Sequence, residues 1–244
     1  MPMQILVISD IHANLSALET VLEDAGLVDS VWCLGDVVGY GPDPNECVAR
    51  IRGLSNLVCV VGNHDAAAIN RIPIETFNLD ARRSIEWMQE ILTKESYTFL
   101  SELPETVVQG QVTLAHGSPR NPVWEYLLDL HSAEENLDYF DTQICMVGHT
   151  HLPIGYIEDP EAHTMHGILP PAGERVVLKS RAILNPGSVG QPRDHDPRAS
   201  YAIFDPEEVT WEIHRVEYDI TAVQRRIREA ELPLRHALRL VEGW

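Results

Sequence analysis

The feature that most narrows the fold is a set of fully apolar runs of strand length: MQILVIS at 3–9, VWCLG at 31–35, LVCVVG at 57–62, VTLA at 112–115 and ICMVG at 144–148. Short runs without polar alternation suit strands buried on both faces. The first three alternate with helical patterns. Leu15, Leu18, Val21 and Leu22 share one helical face, and PNECVARI begins with a proline suited to a first helical turn. A β-α-β-α-β start predicts a largely parallel sheet covered by helices. Between about residues 66 and 103 the strand pattern lapses. There NLDARRSIEWMQEIL, with Ile85, Met88, Ile91 and Leu92 in helical register, predicts an inserted helical cap. From about 153 the texture becomes hairpin-like, in IGYIED, RVVLKSRAIL and YAIFDPEEVTWEIHRVEY, which predicts a second sheet packed on the first. The tail DITAVQRRIREAELPLRHALRL reads as two helices broken near Pro233, a surface element or a homo-oligomer contact.

Composition limits the partners. A chain of 244 residues, 44% of them hydrophobic, can bury a real core, and a single domain over 1–244 accounts for its length. No run of about 18 apolar residues is present, and the opening MPMQILVISDIH lacks a basic start and a cleavage site. A cytoplasmic protein with no membrane partner is expected. The four cysteines form no C-x-x-C pair and three lie in apolar runs, which favours core packing over disulfides. With 37 acidic residues against 18 Lys plus Arg, the formal charge of −19 repels a phosphate backbone. A small substrate is therefore expected and a long nucleic acid is not.

Each apolar run ends in residues of metal-ligand type. Asp10 and His12 follow the first, Asp36 the second, Asn63, His64 and Asp65 the third, His116 the fourth, and His149 with His151 the fifth. Ligands in sheets of this kind bind outside the carboxyl ends of the strands, so five segments are expected to deliver their polar groups to one rim. Burying these imidazoles and carboxylates with no cation among them would cost several kcal/mol per unpaired charge, roughly. A mixed set of carboxylate, imidazole and amide oxygen suits manganese first, with iron, zinc, nickel or cobalt as alternatives, better than calcium. There are ligands enough for two divalent metal ions. Two such ions, about 3.5–4 Å apart, can hold a bridging hydroxide and a phosphoryl oxygen, the usual arrangement for phosphate-ester hydrolysis.

The blocks D-I-H (10–12), G-D (35–36), G-N-H-D (62–65), H-G (116–117) and G-H-T-H (148–151), in this order and spacing, resemble the calcineurin-like metallophosphoesterases. The remainder of the chain is similar to their small bacterial and archaeal phosphodiesterases. The resemblance implies an α/β fold, a four-layer α/β/β/α sandwich of two mixed sheets flanked by helices, here with the small helical cap. It implies that Asp10, His12 and His151 hold one metal, that Asn63, His116 and His149 hold the other, and that Asp36 bridges them. The two histidines of G-H-T-H would each serve one ion from an extended segment entering a turn. His64 is implied to be catalytic, near the leaving group, as general acid or transition-state stabiliser. The implied activity is hydrolysis of phosphodiester, or phosphomonoester, bonds of a small substrate by in-line attack of a metal-bridging hydroxide. Two other readings share the motifs: a nucleotide or dinucleoside-polyphosphate hydrolase, and a non-catalytic scaffold of the same fold, against which the intact ligand set argues.

Phosphoprotein phosphatases of this superfamily carry Asp and Arg three and four residues after the bridging aspartate, where Gly39 and Tyr40 stand here. This argues against a protein-phosphatase role and leaves Asp65 or Asp43 as the residue orienting His64. In NPGSVGQPRD (185–194) the glycine amides or the Ser188 hydroxyl are candidates to reach the rim, and Arg193 is a candidate phosphate fork. Arg120 is a weaker one. The loop GYGPDPNE is either pocket lining or a plain turn. His163 and His166 form an H-x-x-H that reads as a solvated hairpin loop, and His131, His195, His214 and His236 read as structural or exposed. Phe77, Trp87, Trp124 and Trp211 read as core aromatics rather than base-stacking groups.

Overall fold

The computed structural model describes residues 3–162 and 164–244. The apolar runs form β1 (Ile5–Ile8), β2 (Ser30–Cys33) and β3 (Leu57–Cys59), separated by α1 (Leu15–Ala25) and α2 (Pro44–Arg52). Asn14 caps α1 by accepting from Ala17 N at 3.1 Å, and α2 starts on Pro44. Helices α3 (Asn63–Ala68), α4 (Leu79–Ile91) and α5 (Lys94–Glu102) follow. Ile85 and Met88 of α4 point into the core, whereas Ile91 is exposed at the helix end. Next come β4 (Thr106–Gln109), β5 (Val112–Ala115), α6 (Leu130–Asn136) and β6 (Ile144–Met146). The rest is β7 (Gly155–Asp159), β8 (Thr164–Ile168), β9 (Arg175–Val177), β10 (Ala182–Leu184), β11 (Ala199–Asp205), β12 (Thr210–Val216), α7 (Ile220–Glu229) and α8 (Leu234–Glu242).

The strands form two six-stranded mixed sheets, β3-β2-β1-β11-β12-β9 and β4-β5-β6-β10-β7-β8. β1, β2 and β3 are parallel, as the alternation with helices dictates, and β5, β6 and β10 are parallel in the second sheet. The division does not fall at residue 153. The second sheet already begins with β4 and β5, while β11 returns to pair antiparallel with β1, Ile5 opposite Phe204. The hairpin texture was correct for the strands but carried no information on which sheet edge each would join.

Between the sheets lies an apolar core of Ile5, Val7 and Leu34 on one side and Leu114, Met146 and Leu184 on the other, with Trp211 and Phe204 in the same cluster. The outer face of the first sheet packs Leu6 and Ile8 on Leu18, Val21, Val48 and Ile51 of the helices. The outer face of the second packs Cys145 and Ile183 on Ala133. These are the four layers that the resemblance implied. All four cysteines are free and buried, and no described helix is long and apolar enough to cross a membrane.

Candidate metal centre

The first sheet brings Asp10, His12, Asp36, Asn63 and His64 to one rim, and the second brings His116, His149 and His151. All eight are buried. The expected rim therefore belongs to two sheets rather than one. Where the strands end, the backbone turns into the left-handed region: φ is 54° at Asp10, 49° at His12, 52° at Asp36, 64° at His149 and 61° at His151. Each such non-glycine residue costs about 1–2 kcal/mol. Hydrogen bonds between the strand ends offset this cost: Asp10 N donates to Gly35 O at 3.1 Å, His12 N to Asp36 O at 2.9 Å and Gly148 N to His116 O at 2.8 Å. His149 and His151 are thus not part of an extended segment. Two left-handed residues aim their rings at separate groups, His149 Nδ1 at His116 Nε2 (3.1 Å) and His151 Nε2 at His12 Nε2 (3.0 Å). Gly62 is required where it stands, since a Cβ there would lie 2.0 Å from Asp36 Oδ1.

The imidazole tautomers follow from the backbone. The Nδ1 atoms of His12, His116 and His151 face the carbonyls of Val38 (3.3 Å), Leu34 (2.8 Å) and Gln191 (2.5 Å). A carbonyl only accepts, so Nδ1 carries a proton in all three, and wherever the ring is neutral Nε2 presents a bare lone pair. The Nε2 atoms of His12 and His151 then meet lone pair to lone pair, 3.0 Å apart. Around them stand Asp10 Oδ1, 3.3 Å from His151 Nε2, and Asp36 Oδ2, 3.7 Å from His12 Nε2 and 3.4 Å from His116 Nε2. Asn63 Oδ1 lies 3.1 Å from His116 Nε2, and Asp10 Oδ1 has no hydrogen-bond partner among the described residues. Electron-pair donors that converge with no proton between them fit divalent cations. Among the described residues, three sets have their donor atoms within 4.8 Å of one another: Asp10, His12 and His151; Asp36, His116 and His149; and His12, Asp36 and His64.

Charge is divided unevenly in this pocket. Burial pushes the Asp10 carboxyl up to about 7, with Asp36 adding to the rise and His116 opposing it. Burial would raise Asp36 too, but His116, His64 and His12 hold it well below the usual carboxylate range. His116 goes against its own burial to about 9, because Asp36 and Asp10 face it. Burial drives His12, His149 and His151 well below the ordinary imidazole value, and His64 down to about 4.

Neither candidate carboxylate orients His64. Asp65 accepts from Val38 N at 2.9 Å and Gly62 N at 3.1 Å, while Asp43 is paired with Arg226, Nη2 to Oδ2 2.9 Å. Instead His64 packs between Tyr40 (ring centroids 4.4 Å) and Phe77 (5.0 Å), its backbone N–H donates to Asp36 Oδ1 at 2.8 Å, and its Nδ1 has no partner. GYGPDPNE is thus more than a turn, because Tyr40 also meets His12 at 4.6 Å and Gly41 N donates to His12 O at 3.0 Å. Ser188 is not available to a ligand: its hydroxyl donates to Asp10 O at 2.8 Å and accepts from Gln191 N at 2.8 Å. The amides of Val189 and Gly190 bond the carbonyls of Ser9 and Asp10, so this loop braces β1. Arg120 is committed to Glu125 and Glu135 and does not serve as a phosphate fork. Arg193 does face the pocket. Its Nη2 donates to Gln191 Oε1 at 3.1 Å and Tyr40 OH at 3.4 Å, and its charge bears on Asp10, His12, His64, His149 and His151.

His163 lies outside the described residues, and His166 is exposed on β8. His131 is exposed beside Glu135, His214 stacks on Tyr201 at 4.9 Å, and His195 is exposed. His236 is buried, shares a hydrogen bond with Ser84 Oγ at 2.8 Å and backs onto Tyr40 at 4.8 Å. Trp211 is core, but Phe77 and Trp124 border the site. Tyr126, which no spacing rule singles out, stacks directly on His149.

Comparison with known proteins identifies the family. A crystal structure of a metallophosphoesterase from Sphaerobacter thermophilus is 48% identical and superposes with a TM-score of 0.92 over 100% of both chains. Protein MJ0912 of Methanocaldococcus jannaschii is 39% identical, covering 94% of this chain and 93% of its own. Phosphodiesterase YfcE of Escherichia coli is 26% identical over 83% of this chain and 88% of its own. Residues 3–209 match the calcineurin-like phosphoesterase superfamily domain, and the chain belongs to that superfamily.

Proposed function

We propose that this phosphoesterase hydrolyses phosphodiester bonds of small substrates at a two-metal centre, with Asp10, His12 and His151 holding one ion, Asn63, His116 and His149 the other, and Asp36 shared. The observation that carries the reading is the convergence on two carboxylates of Nε2 atoms whose rings are fixed through Nδ1 by backbone carbonyls. Asp36 suits the shared position because its Oδ2 reaches toward His12 and His116 alike. Two divalent ions, manganese first, supply an activated water nucleophile and offset phosphoryl charge when bound.

The protein's own groups do the rest. Arg193, fixed by Gln191 and Tyr40, points its guanidinium to the same pocket and is placed to hold a non-bridging phosphate oxygen. His64, kept neutral by burial, acts as a hydrogen-bond donor to the departing oxygen rather than as a strong acid. The buried walls around it exclude water from that oxygen. The test is a panel of bis-aryl phosphate, cyclic nucleotides, a dinucleoside polyphosphate, an aryl monophosphate and a phosphopeptide, each run with several divalent metals, alongside metal analysis. Diester turnover that requires about two ions per chain is expected. Diester turnover that persists in the metal-free protein would refute the reading.

A further inference from the structure

One wall of the cleft is aromatic and is held by a network separate from the metal-facing groups. After His116 the chain turns back at Gly117, whose N–H donates to Pro122 O at 2.6 Å; a Cβ there would lie 2.8 Å from Glu125 N. Glu125 is clamped from three sides. It accepts from Ser118 Oγ, from the Arg120 guanidinium and from Asn136 Nδ2 at 3.1 Å. Its two neighbours in sequence are the aromatic wall.

Tyr126 lies face to face with His149, ring centroids 3.8 Å apart at 29°. Trp124 meets His149 edge-on at 6.4 Å and leans on Phe77 at 4.9 Å, and Phe77 meets His64 edge-on at 5.0 Å. Phe77 is buried and Trp124 partly so, yet Tyr126 remains 45% exposed although one of its faces lies on His149. Burial raises its phenol to about 12, with Arg193 opposing and Tyr40, Asp36 and Asp10 adding, and its contact with the centre is the stack on His149. The ring is backed by His149 and follows the clamped Glu125, with nearly half of its surface open.

We propose that Tyr126 is the seat for a planar aromatic group of the substrate, a nucleobase or an aryl ring, which stacks on it while the phosphoryl group sits among the metal-facing side chains. The proposal rests on the phosphodiesterase reading above. Stacking platforms of this kind tolerate any ring with a π face, so the seat selects aromatic from aliphatic esters rather than one base from another. Glu125 is a positioning residue for it.

Metal-loaded protein and two five-membered cyclic phosphodiesters, 2′,3′-cyclic AMP and glycerol 1,2-cyclic phosphate, the second lacking both the base and the ribose ring, test this, with bis(4-nitrophenyl) phosphate as the aryl arm. In Tyr126→Ala the kcat/KM on the aromatic substrates, taken relative to the glycerol ester, is expected to fall about tenfold, mainly through KM. Tyr126→Phe restores the ratio and Tyr126→Leu, which keeps bulk without a ring, does not. Whichever aromatic arm responds more identifies base or aryl ring as the group seated. An unchanged ratio in Tyr126→Ala, including an equal loss on all three substrates, overturns the proposal. Calorimetric binding of adenosine 2′-monophosphate and of glycerol phosphate reads the same ratio without turnover. A parent protein that cleaves none of the esters would therefore sink the phosphodiesterase reading while the stacking seat is still decided by binding.

Discussion

The backbone N–H of His64 donates to Asp36 Oδ1 at 2.8 Å, while the other oxygen of the same carboxylate, Oδ2, lies 3.4 Å from His116 Nε2. One carboxylate thus fixes the start of α3 with one oxygen and faces His12 and His116 with the other.

Asp36→Asn separates these duties. The amide oxygen can still accept from His64 N, so the melting temperature of the metal-free variant should stay within a few degrees of the metal-free parent. Metal content should drop below about one ion per chain, and diesterase kcat/KM should fall by about 10³ or more. Elemental analysis beside calorimetric melting checks both. A fully active variant with its metal intact would remove Asp36 from the shared position.

His64→Ala should keep both metals and lose turnover, by about 10²–10⁴. The loss should be largest for an alkoxide leaving group and smallest for 4-nitrophenolate, which needs little help to depart. Equal losses across leaving groups would place His64 elsewhere in the mechanism.

Arg193→Met removes the fork held by Tyr40 and Gln191. Its kcat/KM is expected about 10²-fold lower, with unchanged metal content, and Arg193→Lys should recover only part of it, because an ammonium cannot bind two oxygens side by side. Steady-state kinetics with metal analysis decide it.

Acid should loosen the aromatic wall. The Arg120 guanidinium, with Ser118 and Asn136, holds the Glu125 carboxyl down to about 2. A depressed carboxylate contributes stability that is complete above its ordinary value of 4.5 and is lost as pH falls from there toward 2. The Glu125→Gln variant should therefore show a shallower fall of melting temperature than the parent across that window, and the two curves should converge at its acid end. Parallel curves would mean that the carboxylate contributes nothing there.

The convergence of the candidate ligands was legible because residue type and position coincide: Asp10, Asp36, His116 and His149 each follow an apolar run, and a strand end is where a sheet opens to ligands. The groups that set their chemistry were not. Val38, Leu34 and Gln191 act through backbone carbonyls, which every residue has, so no side-chain pattern announces them. The left-handed turns at Asp10, His12, His149 and His151 are hidden for a related reason, since these residue types carry no glycine flag. β4 was missed because an edge strand with mostly exposed residues, TVVQ, shows no apolar run. Tyr126 lies ten residues beyond His116 in an irregular segment, and only the Glu125 clamp brings it back.

The pocket is contributed by two separate sheets, with Asp10, His12, Asp36 and Asn63 from one and His116, His149 and His151 from the other. Sliding one layer past its neighbour by a single residue step, about 3.3 Å, would far exceed the roughly 0.5 Å within which such constellations work. On the proposed assignment, each ion would be gripped from both sides and would act as a rivet through the sandwich. Warming should blur this alignment before it unravels any strand, making catalysis an early gauge of how tightly the halves are fastened.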